Sequence, residues 1–304
     1  MGMGRDFYQA YPAARALFEE AAAVMGPEIL NVIFEGPEEK LQLTEYTQPA
    51  ILTVSTAIGA VLADRGFKPD ALAGLSLGEY SALVSAGSIS FAEALPLVSK
   101  RGIYMQEAVP AGAGKMMAIM GISHEEVEKA CAAVEGAGHV SPANYNCPGQ
   151  TVISGSNDAV DRAVELARQA GAKRISPLKV SAPFHCALLD PVCSQMAAEL
   201  EKIKLHKPAV PVYFNVSAQI ASDPVKIKEN LVRQVSSPIL WSALIGNMID
   251  AGVDTFIGIG PGDSLSRLMK RIAPEKNAYS VEDCAALEQL LESAPTEVKD
   301  ENGS

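Results

Sequence analysis

The sequence is poor in the groups that most readily announce a chemistry. Its 304 residues hold five cysteines, four histidines and one tryptophan, and aromatic residues make up only 6%. Cys131, Cys147, Cys186, Cys193 and Cys284 are odd in number, widely spaced and never arranged as CxxC. Neither a disulfide framework nor a zinc site is expected from them, and a reducing cytoplasm is the expected compartment. No apolar run approaches the roughly 20 residues of a membrane span. The opening Met1-Gly2-Met3-Gly4-Arg5-Asp6 has no signal-peptide core, so a soluble, non-exported protein is expected. A block of Lys and Arg is lacking too: 25 basic residues against 36 acidic ones leave a net charge of −11. That balance argues against a general nucleic-acid or membrane-surface role, because phosphate-rich partners need a positive footprint. Any anionic substrate must then be held locally.

What is present is ordinary globular usage, with 48% hydrophobic and 20% charged residues, 24 Gly and 19 Pro, which excludes disorder, collagen and coiled coil. The length suits one large domain, or one with an insertion. Helix-like and strand-like segments alternate. Helices are expected from about Tyr11 to Val24, Gln48 to Arg65 and Glu79 to Ala86, with a short buried strand at Asp70 to Gly74. Ser90-Phe91-Ala92-Glu93 reads as a capping box opening a helix, kinked or restarted near Pro96, that runs to about Ala108. From Ala113 the order becomes strand (Lys115–Met120), helix (Ser123–Val134), strands (Val140–Asn144, Thr151–Ser154), helix (Asp158–Ala170) and strand (Arg174–Val180). That βαββαβ order is the ferredoxin-like pattern. The α/β texture then resumes, with strands at Val212–Asn215 and Thr255–Gly258 and helices at Leu188–Ile203, Val225–Val235, Trp241–Ala251 and after Gly260-Pro261-Gly262.

The sharpest motif is Gly74-Leu75-Ser76-Leu77-Gly78, a GxSxG placed between a short apolar strand and a helix. A nucleophile elbow needs this context: small flanking residues relieve the crowding that pushes the serine forward, and the following helix aims its N-terminus at an oxyanion. The backbone N–H of Leu77 is the natural oxyanion donor. The same glycines could instead merely shape a strand-to-helix turn. A serine nucleophile needs a base. His124, at a helix start, His139, in a Gly-rich turn, and His206, between lysines, all read as exposed. His185, after Ser181-Ala182-Pro183-Phe184, falls where the chain leaves the inserted segment and is the candidate base, its alternative being a structural histidine. The only aspartates between Ser76 and His185 are Asp158 and Asp161, both in the first turn of a helix and poor orienters of a histidine. A dyad, with the imidazole held by an amide or a backbone carbonyl, is more economical than a triad. Arg101 borders the apolar stripe Phe91, Ala94, Leu95, Val98, Gly102 and Met105, and its planar fork suits a carboxylate. An internal salt bridge would serve the same arginine equally well.

Five stretches taken together resemble one family: GLSLGEYSALV at 74–84, KRGIYMQEA at 100–108, NYNCPGQTVISG at 144–155, SAPFHCALL at 181–189 and IGIGPGDSL at 257–265. They are similar, in order and over nearly the whole chain, to the malonyl-CoA:acyl carrier protein transacylases of bacterial fatty-acid synthesis. The resemblance implies an α/β fold with a large α/β-hydrolase-like core and parallel sheet (1–112 and 183–291), an inserted ferredoxin-like subdomain (113–182) and a tail (292–304). It implies that Ser76 is acylated, His185 is the base, Arg101 holds the malonyl carboxylate, Gln234 supplies a carbonyl to the histidine, and Asn144 and Asn146 line the cleft. Malonyl-CoA and other coenzyme A thioesters, with a phosphopantetheinylated acyl carrier protein, would be the substrates, with no tightly bound cofactor and a monomeric enzyme. Carrier proteins are acidic, so a local basic surface is expected, with Lys173, Arg174, Lys179, Arg267, Lys270 and Arg271 as candidates. Two features depart from the family pattern. Leu75 stands where a histidine is usual. The buried strand and GQG-type loop that open the family, just ahead of the stretch matched by Gly2–Phe7, would lie before Met1, and that loop supplies the second oxyanion N–H. A serine thioesterase or esterase on the same residues, and an impaired homologue that only binds carrier protein, are the competing readings.

Overall fold

The computed structural model describes residues 1–110, 112–180 and 182–293. The fold is α/β, as expected, and the described residues form eight strands: β1 (Leu72–Ala73), β2 (Gly114–Met120), β3 (Val140–Cys147), β4 (Gln150–Ser156), β5 (Arg174–Pro177), β6 (Val212–Tyr213), β7 (Thr255–Ile259) and β8 (Asn277–Val281). The chain divides into two compact units, one of Met1–Ser99, Leu205–Val212 and the residues from Gly252, the other of Lys100–Lys204 and Tyr213–Ala251.

The first unit is organised around the helix Thr44–Asp64, whose Ala50, Leu52, Val54, Ala57, Ile58 and Val61 are buried. This corrects the expectation that no apolar segment approaches membrane-spanning length: the helix is long and apolar enough, but 67% of its most apolar stretch is buried inside the protein, which marks a core helix. The helices Pro12–Met25 and Gly78–Ser85 and the strand β7 pack against it. β7 and β8 run parallel in the register Thr255↔Asn277 to Ile259↔Val281. β8 and the closing helix Cys284–Ser293 were not foreseen, because Asn277-Ala278-Tyr279-Ser280-Val281 carries little periodic signal and forms a strand through its partner. The tail expected at 292–304 starts two residues too early, because Glu292 and Ser293 still belong to that helix; the rest of it lies outside the described residues. The segment 205–212 returns to this unit through backbone bonds from His206 N–H to the Ser88 carbonyl, Ala209 N–H to Ala86 and Leu72 N–H to Pro211, each 2.8 Å.

In the second unit β2, β3, β4 and β5 form one antiparallel sheet in the order β3-β4-β2-β5, the ferredoxin-like order. Strand alternation sorts its side chains. Ile119 and Ile153 face the helices His124–Ala132 and Asn157–Gln169, burying Val127, Cys131, Val160 and Ala163 between them. Met116, Ala118, Ala143 and Val152 make the opposite face, against which Leu178 and Phe184 pack. That second apolar face is why the piece does not stand alone, and the unit around it is larger than the 113–182 segment. The capping box with both of its bonds formed lies at Ser123–Glu126; at Ser90–Glu93, Glu93 N–H meets Ser90 Oγ at 3.2 Å. The helix does not restart at Pro96, since Phe91–Glu107 is one helix with Pro96 inside it.

Candidate active site

In the first unit the turn after β1 drives Ser76 into the left-handed region, at φ 52°. A non-glycine residue there is strained and calls for an over-determined surrounding. Gly74 provides part of it, for a Cβ at that position would lie 1.9 Å from the Gly78 carbonyl carbon and 2.0 Å from its oxygen. The two glycines are not equivalent, which corrects the expectation that both relieve crowding: a Cβ on Gly78 would meet nothing within 4 Å. Gly78 N–H bonds to Leu75 O at 2.9 Å, Glu79 N–H to Ser76 O at 3.2 Å and Tyr80 N–H to Leu77 O at 2.9 Å. These three amides are consumed in starting the helix Gly78–Ser85; the Leu77 N–H takes no part in those turns. Leu77 itself is buried.

In the second unit three residues far apart in sequence meet at Gln234. The helix Pro224–Gln234 stops there, so the Gln234 carbonyl belongs to the last turn, whose acceptors have no partner within the helix. The His185 Nδ1 lies 2.8 Å from that carbonyl. An oxygen that can only accept requires the proton on Nδ1, which leaves the lone pair on Nε2. His185 is 4% exposed and, like Ser76, has positive φ, at 59°. Burial, reinforced by the Arg101 cation and partly opposed by the Gln234 carbonyl, pushes its pKa down to about 3. The imidazole is therefore neutral at physiological pH, as a base must be.

The Gln234 side chain holds the other partner. Arg101, among the largest side chains with under 2% exposure, donates from Nη2 to Gln234 Oε1 at 2.8 Å. The amide nitrogen of Gln234 reaches Asn215 Oδ1 at 3.5 Å. Asn215 is fully buried, and its backbone carbonyl accepts the Leu240 N–H at 2.9 Å. Sequence reasoning missed Asn215; its signal is a lone amide in the apolar run Val212-Tyr213-Phe214-Asn215-Val216. Asn144 and Asn146 lie on β3, where its register with β4 shifts, and are 7% and 8% exposed. Asn146 Oδ1 is buried with no hydrogen-bond partner, a cost a protein rarely carries without use. β3 is tied to the chain just after Gln234, with Tyr145 N–H on Ile239 O at 2.9 Å and Ile239 N–H on Ala143 O at 2.8 Å.

Arg101, Asn144, Asn146, His185 and Gln234 thus share the second unit, while Ser76 and Leu77 belong to the first. The other histidines divide. His206 is exposed as expected, but His124 and His139 are half-buried. His124 bonds through Nδ1 to Thr151 Oγ1 at 2.6 Å, stands edge-on to Tyr145, and has a pKa lowered chiefly by burial. Of the basic candidates, Arg267, Lys270 and Arg271 are exposed on the helix Ser264–Ile272, Arg267 paired with Asp263 at 3.0 Å. Lys173, Arg174 and Lys179 are exposed at and around β5. Among the described residues no group of three His, Cys, Asp or Glu could hold a metal ion.

The family model of the acyl transferase domain matches residues 1–290. The malonyl CoA-acyl carrier protein transacylase of Bacillus subtilis (strain 168) is 43% identical over 99% of this chain and 94% of its own length. The crystal structure of an acyl carrier protein S-malonyltransferase from Vibrio cholerae superposes with a TM-score of 0.92 at 45% identity, covering 95% of each chain. A type II PKS acyl-carrier protein in complex with its malonyl-transacylase provides a further match, with a TM-score of 0.93, 44% identity, and coverage of 96% of this chain and 95% of that one.

Proposed function

The chain belongs to the acyl transferase family, among the malonyl CoA-acyl carrier protein transacylases, and from that premise we propose how its own residues do the work. It transfers a malonyl group from malonyl-CoA to the phosphopantetheine thiol of an acyl carrier protein, supplying fatty-acid biosynthesis. His185 Nε2 takes the proton of Ser76, and the Ser76 oxygen attacks the thioester carbonyl. The tetrahedral oxyanion is stabilised by backbone donors, the Leu77 N–H among them. The C–S bond breaks, His185 returns the proton to the departing coenzyme A thiolate, and malonyl-Ser76 remains. The carrier thiol then gives its proton to His185, attacks the ester, and Ser76 leaves with the proton restored. Arg101 holds the malonyl carboxylate with its planar fork, and Asn144 and Asn146 offer amides to the acyl group.

The observation that carries this reading is the Gln234 junction. One residue orients a neutral base through its main chain and a buried guanidinium through its side chain, so base and carboxylate-binding cation are held by a common part. Ester and thioester exchange is nearly balanced, so transfer depends on keeping water from malonyl-Ser76. The cycle needs no bound cofactor and fits a cytoplasmic monomer in which 113–182 interrupts a discontinuous core.

Mass spectrometry after mixing with malonyl-CoA should find a malonyl adduct on Ser76 that is discharged by holo carrier protein. Free malonate without transfer would instead mark a thioesterase, and carrier binding without an adduct an impaired homologue. Arg101→Ala should erase the preference for malonyl over acetyl thioesters.

A further inference from the structure

Three helices carry or directly follow the site groups that belong to the second unit. Arg101 lies within Phe91–Glu107, His185 just ahead of Asp190–Glu201, and Gln234 at the end of Pro224–Gln234. Arg101 ties the first helix to the third, and Cys193 Sγ ties the second to the third at 3.4 Å from the Val232 carbonyl. The first and second are joined by one carboxylate. Glu199 accepts from Lys100 Nζ at 2.8 Å and from Tyr104 OH at 3.1 Å, while Lys202 of its own helix adds a bond of 2.9 Å. The Glu199 side chain is only 12% exposed. Its pKa is drawn down to about 2 by the bonds from Lys100 and Lys202, with burial opposing, so it stays ionised throughout the working range.

The spacing of the two donors matters. Lys100 and Tyr104 are four residues apart and stack on one helical face, and Arg101 follows Lys100 at about 100° around the axis. Two anchors one turn apart fix a helix in both rotation and translation. A fork that must meet a carboxylate bidentately depends on both, and a misplacement of about 1 Å can cost about 10²-fold.

We propose that Glu199 is a positioning residue for carboxylate recognition: by gripping Lys100 and Tyr104 it sets the angle at which Arg101 presents its guanidinium, and so the discrimination between malonyl and acetyl thioesters. This rests on the reading that Arg101 binds the malonyl carboxylate.

The test measures kcat and KM for malonyl-CoA and acetyl-CoA with full-length Glu199→Ala, Glu199→Gln, Tyr104→Phe and Arg101→Ala. Glu199→Ala should lower the malonyl-to-acetyl ratio of kcat/KM about 10-fold, mostly through KM for malonyl-CoA. Tyr104→Phe should lower it about 2–3-fold, and Glu199→Gln, which keeps one acceptor oxygen and turns the other into a donor, should recover part of the loss. Adding Glu199→Ala to Arg101→Ala should leave the ratio where Arg101→Ala alone puts it. An equal fall for both substrates, or a lower Tm with the ratio unchanged, would reduce Glu199 to a structural brace and overturn the proposal. If Glu199→Ala fails to fold, the nearly isosteric Tyr104→Phe decides, and an unchanged ratio there overturns it as well. Should Arg101→Ala itself leave the ratio intact, the Arg101 reading falls and takes this proposal with it; should Arg101→Ala collapse the ratio while Glu199 and Tyr104 variants do not, only the proposal falls.

Discussion

At Ser76 the backbone shapes the site: a left-handed serine, a glycine pressed against a carbonyl, and amides consumed in starting a helix, all within a few residues. At Gln234 side chains do so, with Arg101 133 positions away and His185 49. The first arrangement tolerates no added atom at one place and is indifferent at its neighbour. The second consists of hydrogen bonds that can be removed singly, each with its own consequence. A strained turn is therefore a device that works or fails as a whole, whereas a hydrogen-bonded junction can be tuned.

The sharpest way to break this contrast is at the two glycines. Gly74→Ala places a methyl inside the Gly78 carbonyl and should cost at least about 4 kcal/mol of stability, abolishing folding or activity. Gly78→Ala should change stability by no more than about 1 kcal/mol. Thermal melts of the pair measure both, and similar losses would show that the glycines act together after all. At the junction the effects should separate. His185→Ala should lower kcat by about 10²–10⁴-fold, the usual worth of a general base. Gln234→Leu keeps the carbonyl that orients His185 and removes the amide that holds Arg101, so it should cost about 1–3 kcal/mol in malonyl binding or stability. Its pH profile should stay that of the parent, and steady-state kinetics across pH read both.

The smallest effect expected is a missing inflection. With His185 held neutral down to about 3, kcat/KM should show no step near 6.5, the ordinary histidine value. The sign for stability follows from proton uptake. Below about 6.5 the unfolded chain binds a proton at this position that the folded protein refuses until about 3, so this contribution is complete above 6.5 and is lost progressively as pH falls towards 3. An activity step at 6.5 would mean that His185 is solvated and that burial does not govern its titration.

Much of the ferredoxin-like piece was legible, because β2 and β4 are short apolar runs of strand length bounded by turn residues and Asn157–Gln169 carries an apolar stripe at helical period. Asn277–Val281 was not, since a short strand with two polar residues gains its identity from the neighbour it pairs with. The equivalence assigned to Gly74 and Gly78 also failed, because a motif states which residues flank a serine and not which of them another backbone approaches. Gln234 was expected only to lend its carbonyl to His185, and its hold on Arg101 could not be read from spacing, nor could Asn215 behind it.

What the amino-acid sequence determined by itself was the strained turn at Ser76, since a strand, a GxSxG and a helix start are adjacent in the chain and their crowding is local. It also pointed to His185 and Arg101, through burial patterns and elimination among four histidines. What only the tertiary structure decided was how those side chains act on one another. The end of one helix left a carbonyl for His185, one amide reached Arg101, and burial together with that cation drew the imidazole to its neutral form. Hydrogen bonds and desolvation depend on distances in space, and residues 49 and 133 positions apart acquire such distances only when the chain has folded.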